Sequence, residues 1–172
     1  MDEVKLVLPT HQHREQAEEY KRKSLAEGSH ISGSAHLHKY DFDAWLKYCD
    51  DLRSGNIKDD LSGAVQYIAI RTSDNKMVGM MQIRHTLTPF LEKYGGHVGY
   101  SVAPDERGKG YATAMVKLAM TDCKKHGITD VLISCRKSNI ASRRVIEKCG
   151  GRFANEVEYE DVILTRYWVK LT

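Results

Sequence analysis

The segment Tyr100-Ser-Val-Ala-Pro-Asp-Glu-Arg-Gly-Lys-Gly-Tyr-Ala-Thr113 joins the end of a predicted strand to the start of a predicted helix. Its glycines, Gly108 and Gly110, stand where the first backbone N–H groups of the helix have no partner within the helix. Those groups and the helix dipole attract anions, and Arg107 and Lys109 add positive charge at the same place. The segment therefore predicts a phosphate-binding site, and a pyrophosphate would suit it.

Two common phosphate-binding motifs do not fit this spacing. A P-loop needs four residues between its first glycine and a Gly-Lys-Ser/Thr triplet, whereas Lys109 lies between two glycines. A dinucleotide fingerprint needs a third glycine where Thr113 stands, and an acid that ends the next strand, whereas Asp130 begins it. A helix start whose glycines serve only close packing stays open as the simpler alternative, because short glycine motifs are weak alone.

The hydrophobic pattern on either side of this segment predicts a mixed α/β fold in the order β-α-α-β-β-β-α-β-α-β-β. Helices that follow the strands ending at 102 and 135 imply at least one crossover between parallel neighbours. The predicted strands are 4–8, 65–71, 76–84, 97–102, 130–135, 152–158 and 162–170, and the predicted helices begin near 12, 42, 112 and 139.

Composition excludes several classes of protein. Of the 172 residues, 41% are apolar and 28% charged, which is ordinary globular usage and argues against a disordered or fibrous chain. The net charge of +3 is too weak to favour nucleic acid, and no apolar run is long enough to span a membrane. The four cysteines form no CxxC pair, so we expect free thiols in a reducing compartment, the cytoplasm.

Histidine pairs and an aromatic helix face lie in the first third of the chain. His11 with His13, and His36 with His38, would need further ligands to bind zinc, and no convincing spacing supplies them, so no metal site is expected. Aromatic residues near the second helix would either line an acceptor pocket or form the helix's inner face. These aromatic residues are Tyr40, Trp45 and Tyr48.

Two blocks of sequence carry a family resemblance. Val102-Ala-Pro104, followed by Arg107-Gly-Lys-Gly110-Tyr-Ala112, resembles the acetyl-CoA motif of the GNAT superfamily of N-acetyltransferases, and Asn139-x-x-Ser142 through Lys148-x-Gly150 resembles the family's next helix. The element order matches from residue 4 to residue 170. The peptides Arg84-His85, Gly95-Gly96-His97 and Arg166-Tyr167-Trp168 further resemble a bacterial subgroup that is mostly uncharacterised.

The resemblance implies a GNAT-like fold: a mixed, mostly antiparallel central sheet flanked by helices, with the strands at 97–102 and 130–135 splayed apart. It also implies a single N-acetyltransferase domain over residues 1–172. Within that domain we expect a helical lid or substrate wall at about 10–62, an acetyl-CoA core at about 65–150 and a C-terminal strand pair at about 152–170.

The same resemblance implies how acetyl-CoA, as co-substrate, is held. Backbone amides of the loop would bind the pyrophosphate, the strand edge would pair with the pantetheine arm, and a backbone N–H of that strand would polarise the thioester carbonyl. The residues expected to contact acetyl-CoA are Tyr100, Ser101, Val102, Arg107, Gly108, Lys109, Gly110, Tyr111, Ala112, Thr113, Asn139 and Ser142.

Acetyl transfer to an amine also requires a proton acceptor. A primary amine with a pKa of about 10.4 arrives protonated, so a base or a water chain must remove its proton. His97 is the leading candidate, because neutral imidazole suits neutral pH, and Glu92 and His85 are lesser candidates in the preceding loop. The alternative is that His97 only begins a strand and hydrogen-bonds locally.

One departure from the family pattern concerns the general acid. Many members carry a tyrosine four residues before the glycine that ends the last helix, and Ile146 stands there. Tyr100, Tyr111 or water would substitute, or the thiolate would leave unprotonated, so no general acid is assigned.

The expected function is acetyl transfer from acetyl-CoA to a primary amine of a small molecule, amino acid or peptide, by direct attack. The alternative is a non-catalytic CoA-binding module that serves as a sensor or interaction partner. The expected partners are acetyl-CoA and an amine acceptor, without nucleic acid or membrane. Tyr167 and Trp168 alternate on the last strand, so one of them would face a partner, and a homodimer stays open.

Overall fold

Two antiparallel sheets meet at a single point in the computed structural model, which describes residues 2–172; Met1, the first residue of the predicted domain, lies outside them. Each of the expected strands is present, with bounds shifted by a residue or two. The first sheet has the order β1 (Val4–Val7), β2 (Val65–Arg71), β3 (Lys76–Ile83) and β4 (Val98–Val102), and the second has the order β5 (Asp130–Arg136), β7 (Val162–Lys170) and β6 (Gly151–Tyr159).

The junction of the sheets lies between β4 and β5. They share one isolated bridge, Gly96 to Ile133, and the N–H of His97 donates to the carbonyl oxygen of Leu132 at 2.7 Å. The expectation of a splayed central pair is confirmed. The expectation of parallel neighbours is wrong for residues 2–172, because every ladder there is antiparallel: β4 pairs with β3 and β5 with β7.

Helices lie on both faces of the first sheet and on one face of the second. The face carrying α3 (Tyr111–Lys125) and α4 (Ile140–Lys148) buries an apolar core that includes Met115, Ile133 and Ile146. The stripe on α3 has the predicted helical spacing, and Gly127 follows that helix at φ +77°, a value typical of a residue that ends a helix.

The opposite face carries α1 (Arg14–Ala26) and α2 (Phe42–Ser54), which pack on β2 and β3 in a second apolar core. Trp45 is fully buried there and its indole N–H donates to the carbonyl oxygen of Ser34 at 2.7 Å, so this ring belongs to the inner helix face. On α1, Leu25 is 48% exposed, and its neighbour Ser24 is buried.

Short irregular helices occur where loops were expected. A π-helical turn, Leu91–Gly95, precedes β4, and a 3-10 turn, Pro104–Glu106, follows it. Another 3-10 turn at His11–His13 delays the start of α1 to Arg14, because the backbone N–H of Thr10 donates to the ring of His13 at 2.9 Å.

All four cysteines are free: Cys49 and Cys123 are buried, and Cys135 and Cys149 are half-buried. Within residues 2–172, no helix has the length and apolar character that crossing a membrane requires.

Candidate active site

The loop before α3 presents unpaired backbone donors. Gly108 and Gly110 adopt left-handed φ values of +75° and +88°, and Gly110 caps the helix without any side-chain hydrogen bond. The N–H groups of Tyr111, Ala112 and Thr113 find no acceptor within residues 2–172, as expected for the first turn of a helix. This geometry suits a bound anion.

Both basic side chains of this loop are paired with acids. Arg107 Nη1 lies 2.7 Å from Glu27, and Arg107 Nε donates to the carbonyl oxygen of Val102 at 3.3 Å. Lys109 Nζ lies 2.9 Å from Glu106. The free positive charge at the loop is therefore smaller than the sequence predicts, and the backbone donors carry more of the attraction.

Glu106 is the residue that sequence reasoning missed in this segment. Its side chain is only 4% exposed and contacts three cations, Lys76 Nζ at 2.7 Å, Lys109 Nζ at 2.9 Å and Arg71 Nη1 at 3.0 Å. The Lys76 ammonium, with smaller contributions from the other two cations, holds the pKa of Glu106 at about 2. An acid inside an anion-binding loop was the available signal, since one lysine of the loop, Lys109, does not suffice to bury it and further cations had to come from elsewhere in the chain.

The free edge of β4 faces the junction. The N–H of Arg84 donates to His97 and the N–H of Ala103 donates to Val78, which fixes the alternation of the β3–β4 ladder. Tyr100 and Val102 fall between these bonded positions, so their backbone groups point away from β3 towards β5. Within residues 2–172, no backbone acceptor takes their N–H groups. An extended amide chain would find there the pairing that a strand offers.

Side chains of β4 alternate between the two helical layers. The hydroxyl of Tyr100 lies 2.7 Å from that of Ser142 on α4, and burial raises the pKa of this tyrosine far above its usual value. The hydroxyl of Ser101 instead meets Tyr20 of α1 at 2.7 Å. Tyr100 and Ser142 are therefore brought together across the gap between β4 and α4, whereas the side chain of Ser101 faces α1 and its backbone groups face β3.

Two residues that were predicted to contact the cofactor use their side chains to stabilise the fold. The Asn139 side chain accepts the N–H of Ser142 at 3.0 Å and so caps α4. The ring of Tyr111 is buried in the core beside α3, and its hydroxyl accepts from Arg71 at 3.1 Å. Tyr111 can reach a ligand at the loop only through its backbone N–H.

His97 lies at the junction itself and is 7% exposed. Its ring Nδ1 accepts the backbone N–H of Leu132 at 2.9 Å, and the backbone N–H of His97 donates to the carbonyl oxygen of Leu132. Burial, with the nearby His85 and Arg84, lowers the pKa of His97 below its usual 6.5, so the ring is neutral at pH 7. Because Nδ1 accepts a hydrogen bond, the ring hydrogen is assigned to Nε2. That His97 acts as the base stays a prediction, and it requires the tautomer with the hydrogen on Nδ1.

The two lesser candidates for the base lie in different surroundings. Glu92 is exposed on the π-helical turn, and its backbone carbonyl accepts from Arg166. His85 Nε2 lies 2.7 Å from Asp122, and its ring stacks on His126 with 3.7 Å between centroids. The carboxylate favours the hydrogen on Nε2, so Nδ1 would have to accept a proton, and His85 as a base stays a prediction.

A cluster of potential metal ligands lies away from the histidine pairs of the first third of the chain, for which no metal site was expected. Ligand atoms of His85, Asp122 and His126 lie within 4.8 Å of one another, on the surface at the C-terminal end of α3. The two rings are stacked with an interplanar angle of 23°, so their nitrogen lone pairs run nearly parallel and do not converge on one point.

Ile146, which stands where a tyrosine was expected, is fully buried in the core beneath α4. It supplies no proton donor. The hydroxyl pair of Tyr100 and Ser142 is the group on α4 and β4 that carries a proton at the junction.

The loop between α1 and α2, residues 27–41, closes over β4 from the other side. A Cβ built on Gly33 would lie 2.3 Å from the carbonyl oxygen of Gly99, so the two backbones touch. Beside Gly99 lies Arg84, which sequence reasoning named only as part of a subgroup resemblance. Its Nε donates to Gln82 at 2.8 Å and its Nη1 to the carbonyl oxygens of Gly95 and Gly96.

Solved structures with similar folds are acetyltransferases. An acetyl transferase from Salmonella typhimurium that modifies the N-terminal serine of 50S ribosomal subunit protein L7/L12 has a TM-score of 0.72 and 17% identity, covering 98% of this chain and 95% of that one. RimL, a ribosomal L7/L12 alpha-N-protein acetyltransferase in complex with coenzyme A, has a TM-score of 0.71 and 18% identity, with coverage of 98% and 94%.

A third similar structure is the microcin C7 self-immunity acetyltransferase MccE in complex with acetyl-CoA and AMP, with a TM-score of 0.71, 16% identity and coverage of 99% and 94%. At these identities the likeness concerns the fold. No curated protein matches the sequence. The family profile described as acetyltransferase (GNAT) domain matches residues 4–152, most of the 172 residues. On that match, the chain belongs to the GNAT acetyltransferase family.

Proposed function

We propose that this protein transfers the acetyl group of acetyl-CoA to a primary amine of a small molecule, amino acid or peptide by direct attack. The observation that carries the proposal is the continuity between two sets of unpaired backbone donors. The first turn of α3, from Tyr111 to Thr113, lies directly after the open edge of β4 at Tyr100 and Val102. One set suits a pyrophosphate and the other an extended chain of amides.

In this proposal the cofactor is held mainly by backbone. The loop from Gly108 to Thr113 binds the pyrophosphate, and the backbone groups of Tyr100 and Val102 pair with the pantetheine arm. Ser142 and Asn139, at the start of α4, border the cofactor from the other side of the junction. Arg107 acts through its bond to Val102, which fixes the loop against the strand.

The protons of the reaction follow from the same geometry. The incoming amine must lose a proton before it attacks, and His97 is the titratable side chain at the junction, provided its Nδ1 is released from Leu132. The departing thiolate needs a proton, and the hydroxyl pair of Tyr100 and Ser142 holds one. The raised pKa of Tyr100 keeps that hydroxyl protonated at neutral pH.

Proteins of similar fold support both acetyl-CoA and a primary amine as the proposed substrates. RimL and MccE have been solved with coenzyme A and with acetyl-CoA, and the Salmonella typhimurium acetyl transferase acts on an N-terminal serine, whose α-amine is a primary amine. A cytoplasmic location accords with four free thiols and with access to acetyl-CoA.

A non-catalytic CoA-binding module is the second candidate, and one observation favours it. Ile146 is buried where many GNAT proteins carry a catalytic tyrosine, so the usual proton donor is missing. Such a module would bind acetyl-CoA through the same loop but release no CoA to any amine.

Two measurements test the proposal. Acetyl-CoA at about one hundred times its dissociation constant should stabilise the native state by about 2.7 kcal/mol, a rise of roughly 5–10 °C in a chain of this size. Release of free CoA is then followed across a panel of amines. Stabilisation with amine-dependent release is the expected result. Stabilisation without release would favour the non-catalytic module, and no stabilisation at any concentration would overturn both candidates.

A further inference from the structure

Arg84 is a half-buried cation without an acidic partner in residues 2–172. Its guanidinium donates to one amide oxygen and two carbonyl oxygens, and it forms no salt bridge with any acid in residues 2–172. Burial lowers its pKa to about 10, which still leaves it protonated at neutral pH. A buried charge that is balanced only by neutral groups is uncommon, because burial of a charge is normally offset by a counter-charge.

One end of this guanidinium has no partner at all. Nη2 of Arg84 makes no hydrogen bond to the described chain. This nitrogen is not fully buried, so it borders open space. A Cβ built on Gly99 would lie 3.1 Å from this nitrogen and 3.3 Å from the Cα of Gly33. The free N–H groups therefore lie against β4, on the α1–α2 side, beneath the α1–α2 loop.

A second observation comes from the other side of the junction. The side-chain oxygen of Ser134 and Nε of Arg166 each have less than 1 Å² of accessible area and no hydrogen-bond partner. These residues are register partners on β5 and β7, so their side chains lie next to each other on one face. Ser134 alternates with Ile133 and Cys135, which pack towards α3 and α4, so that face is the α1–α2 side.

Both arginines hold the same turn. Arg84 donates to the carbonyl oxygens of Gly95 and Gly96, and Arg166 donates to that of Glu92. The turn Leu91–Gly95 thus lies between two guanidinium groups. Nε of Arg166 and the hydroxyl of Ser134 are fully buried without a partner, and buried polar groups in native proteins almost always have one. Together with the open Nη2 of Arg84, they indicate a polar ligand at the junction.

The surrounding charge has the sign that an acidic ligand needs. In the α1–α2 loop, the pKa values of His30 and His36 are lowered, first by burial and then by nearby cations such as Arg136 and Lys39. The acid near His36 is Asp59, whose carboxylate already accepts the hydroxyl of Tyr48 at 2.8 Å.

We propose that the α1–α2 side of the β4–β5 junction binds an acidic group carried by the acceptor, a carboxylate or a phosphate, with the guanidinium of Arg84 as its anchor. The acceptor amine would then approach β4 from the side opposite α3 and α4. An α-amino acid carries a carboxylate two bonds from its amine, and a phosphorylated amino alcohol carries a phosphate. The inference rests on the proposed acetyl transfer, and it restricts the acceptors to amines that bear a negative charge.

The test compares acidic amines with matched neutral amines as acceptors, in assays that contain the full chain and acetyl-CoA. L-Amino acids are paired with their amides, and phosphoethanolamine with ethanolamine, and kcat/KM is measured from CoA release. We expect the acidic member of the preferred pair to be favoured by about tenfold or more, the ratio that a hydrogen bond to a charged group commonly gives. The two sets of pairs distinguish a carboxylate from a phosphate.

The variant Arg84→Gln removes the charge and keeps a polar amide at the position. It should raise KM for the acidic acceptor about tenfold while the stabilisation by acetyl-CoA is unchanged. Arg22→Gln, on the exposed surface of α1, is the matched control and should leave both values as they are. If Arg84→Gln does not fold, the comparison of matched amines on the unchanged protein decides alone.

Equal kcat/KM for acidic and neutral amines, with normal stabilisation by acetyl-CoA, would overturn this inference and leave the proposed function intact. Absent stabilisation, or stabilisation without transfer to any amine, would instead contradict the proposed function and this inference together.

Discussion

Oε1 of Glu106 lies 2.7 Å from Nζ of Lys76, although one residue belongs to the loop before α3 and the other to strand β3. Through this contact the loop that presents the anion-binding N–H groups is fastened to the first sheet. Arg71, on the neighbouring strand β2, binds the same carboxylate at 3.0 Å. The position of the loop is thus set by a buried ion cluster rather than by the glycines alone.

Removal of the negative charge of Glu106 should destabilise the protein. In Glu106→Gln the three cations lose their shared acid, and we expect the free energy of unfolding to fall by about 2 kcal/mol, within the range for a buried charged contact. Urea unfolding measures the change. Asp105→Asn is the control, because Asp105 binds Lys76 from a side chain that is 42% exposed, and such pairs contribute less than about 1 kcal/mol. Equal losses in both variants would contradict the cluster's role.

The same cluster predicts a dependence on pH. The pKa of Glu106 is about 2 in the folded protein and 4.5 when unperturbed, so its contribution is complete above pH 4.5 and is lost as the pH falls towards 2. The stability of Glu106→Gln should therefore fall less steeply over that interval than the stability of the unchanged protein. Parallel curves would show that the carboxylate is not held as the structure indicates.

Gly108 and Gly63 form a matched pair for the cofactor site. Both have a left-handed φ, +75° and +85°, and a Cβ on either would meet nothing within 4 Å. Alanine at either position should therefore cost about 1 kcal/mol of stability from backbone strain alone. Only Gly108 borders the proposed pyrophosphate site, so only Gly108→Ala should weaken acetyl-CoA binding, by about tenfold or more. Thermal shifts titrated with acetyl-CoA give both numbers, and equal affinities would count against the site.

Local patterns account for what the sequence predicted well. Helix α2, which Asp41 caps by accepting the N–H of Ala44 at 2.9 Å, and helix α3 begin within a residue of the predicted positions 42 and 112, because a helix start depends on residues a few positions apart. The open first turn of α3 is local for the same reason. Spacing of this kind can be read without knowing what the rest of the chain does.

Features that depend on distant residues could not be read in this way. The partners of Glu106 are Lys76 and Arg71, more than 25 positions away, and nothing in their own surroundings marks them. The unbalanced charge of Arg84 is visible only once the absence of an acid among its neighbours in residues 2–172 is known. The expected parallel pairing failed because β5 takes β7, a later strand, as its ladder partner.

His97 provides a test that separates a structural role from a catalytic one. The carbonyl of an asparagine can accept the N–H of Leu132 as Nδ1 does, but an amide cannot take a proton from an amine. We expect His97→Asn to fold but to release CoA about 100-fold or more slowly, with loss of the acidic limb of its pH profile, and His97→Ala also to lose about 1–2 kcal/mol of stability. A folded His97→Asn variant that releases CoA at nearly the unchanged rate would show instead that His97 only holds Leu132 in place.

Gly33 and Gly28 test whether the α1–α2 loop must touch β4. Both residues have a positive φ, +66° and +74°, so alanine should cost each about 1 kcal/mol from strain. A Cβ on Gly33 would also lie 2.3 Å from the carbonyl oxygen of Gly99 and 2.7 Å from the nitrogen of Tyr100, whereas one on Gly28 meets nothing within 4 Å. Backbone cannot yield as a side chain does, so Gly33→Ala should cost about 3 kcal/mol in all, or force the loop away from the strand.

Calorimetry combined with kinetics distinguishes a loss of stability in Gly33→Ala from a displacement of the α1–α2 loop. A loss of about 3 kcal/mol corresponds to roughly 6–12 °C in a chain of this size, against roughly 2–4 °C for Gly28→Ala. If the loop moves instead, hydrogen exchange should rise across residues 28–40 and KM for the acceptor should increase. Indistinguishable behaviour of the two variants would mean that the contact between Gly33 and Gly99 does not shape the acceptor side of the site.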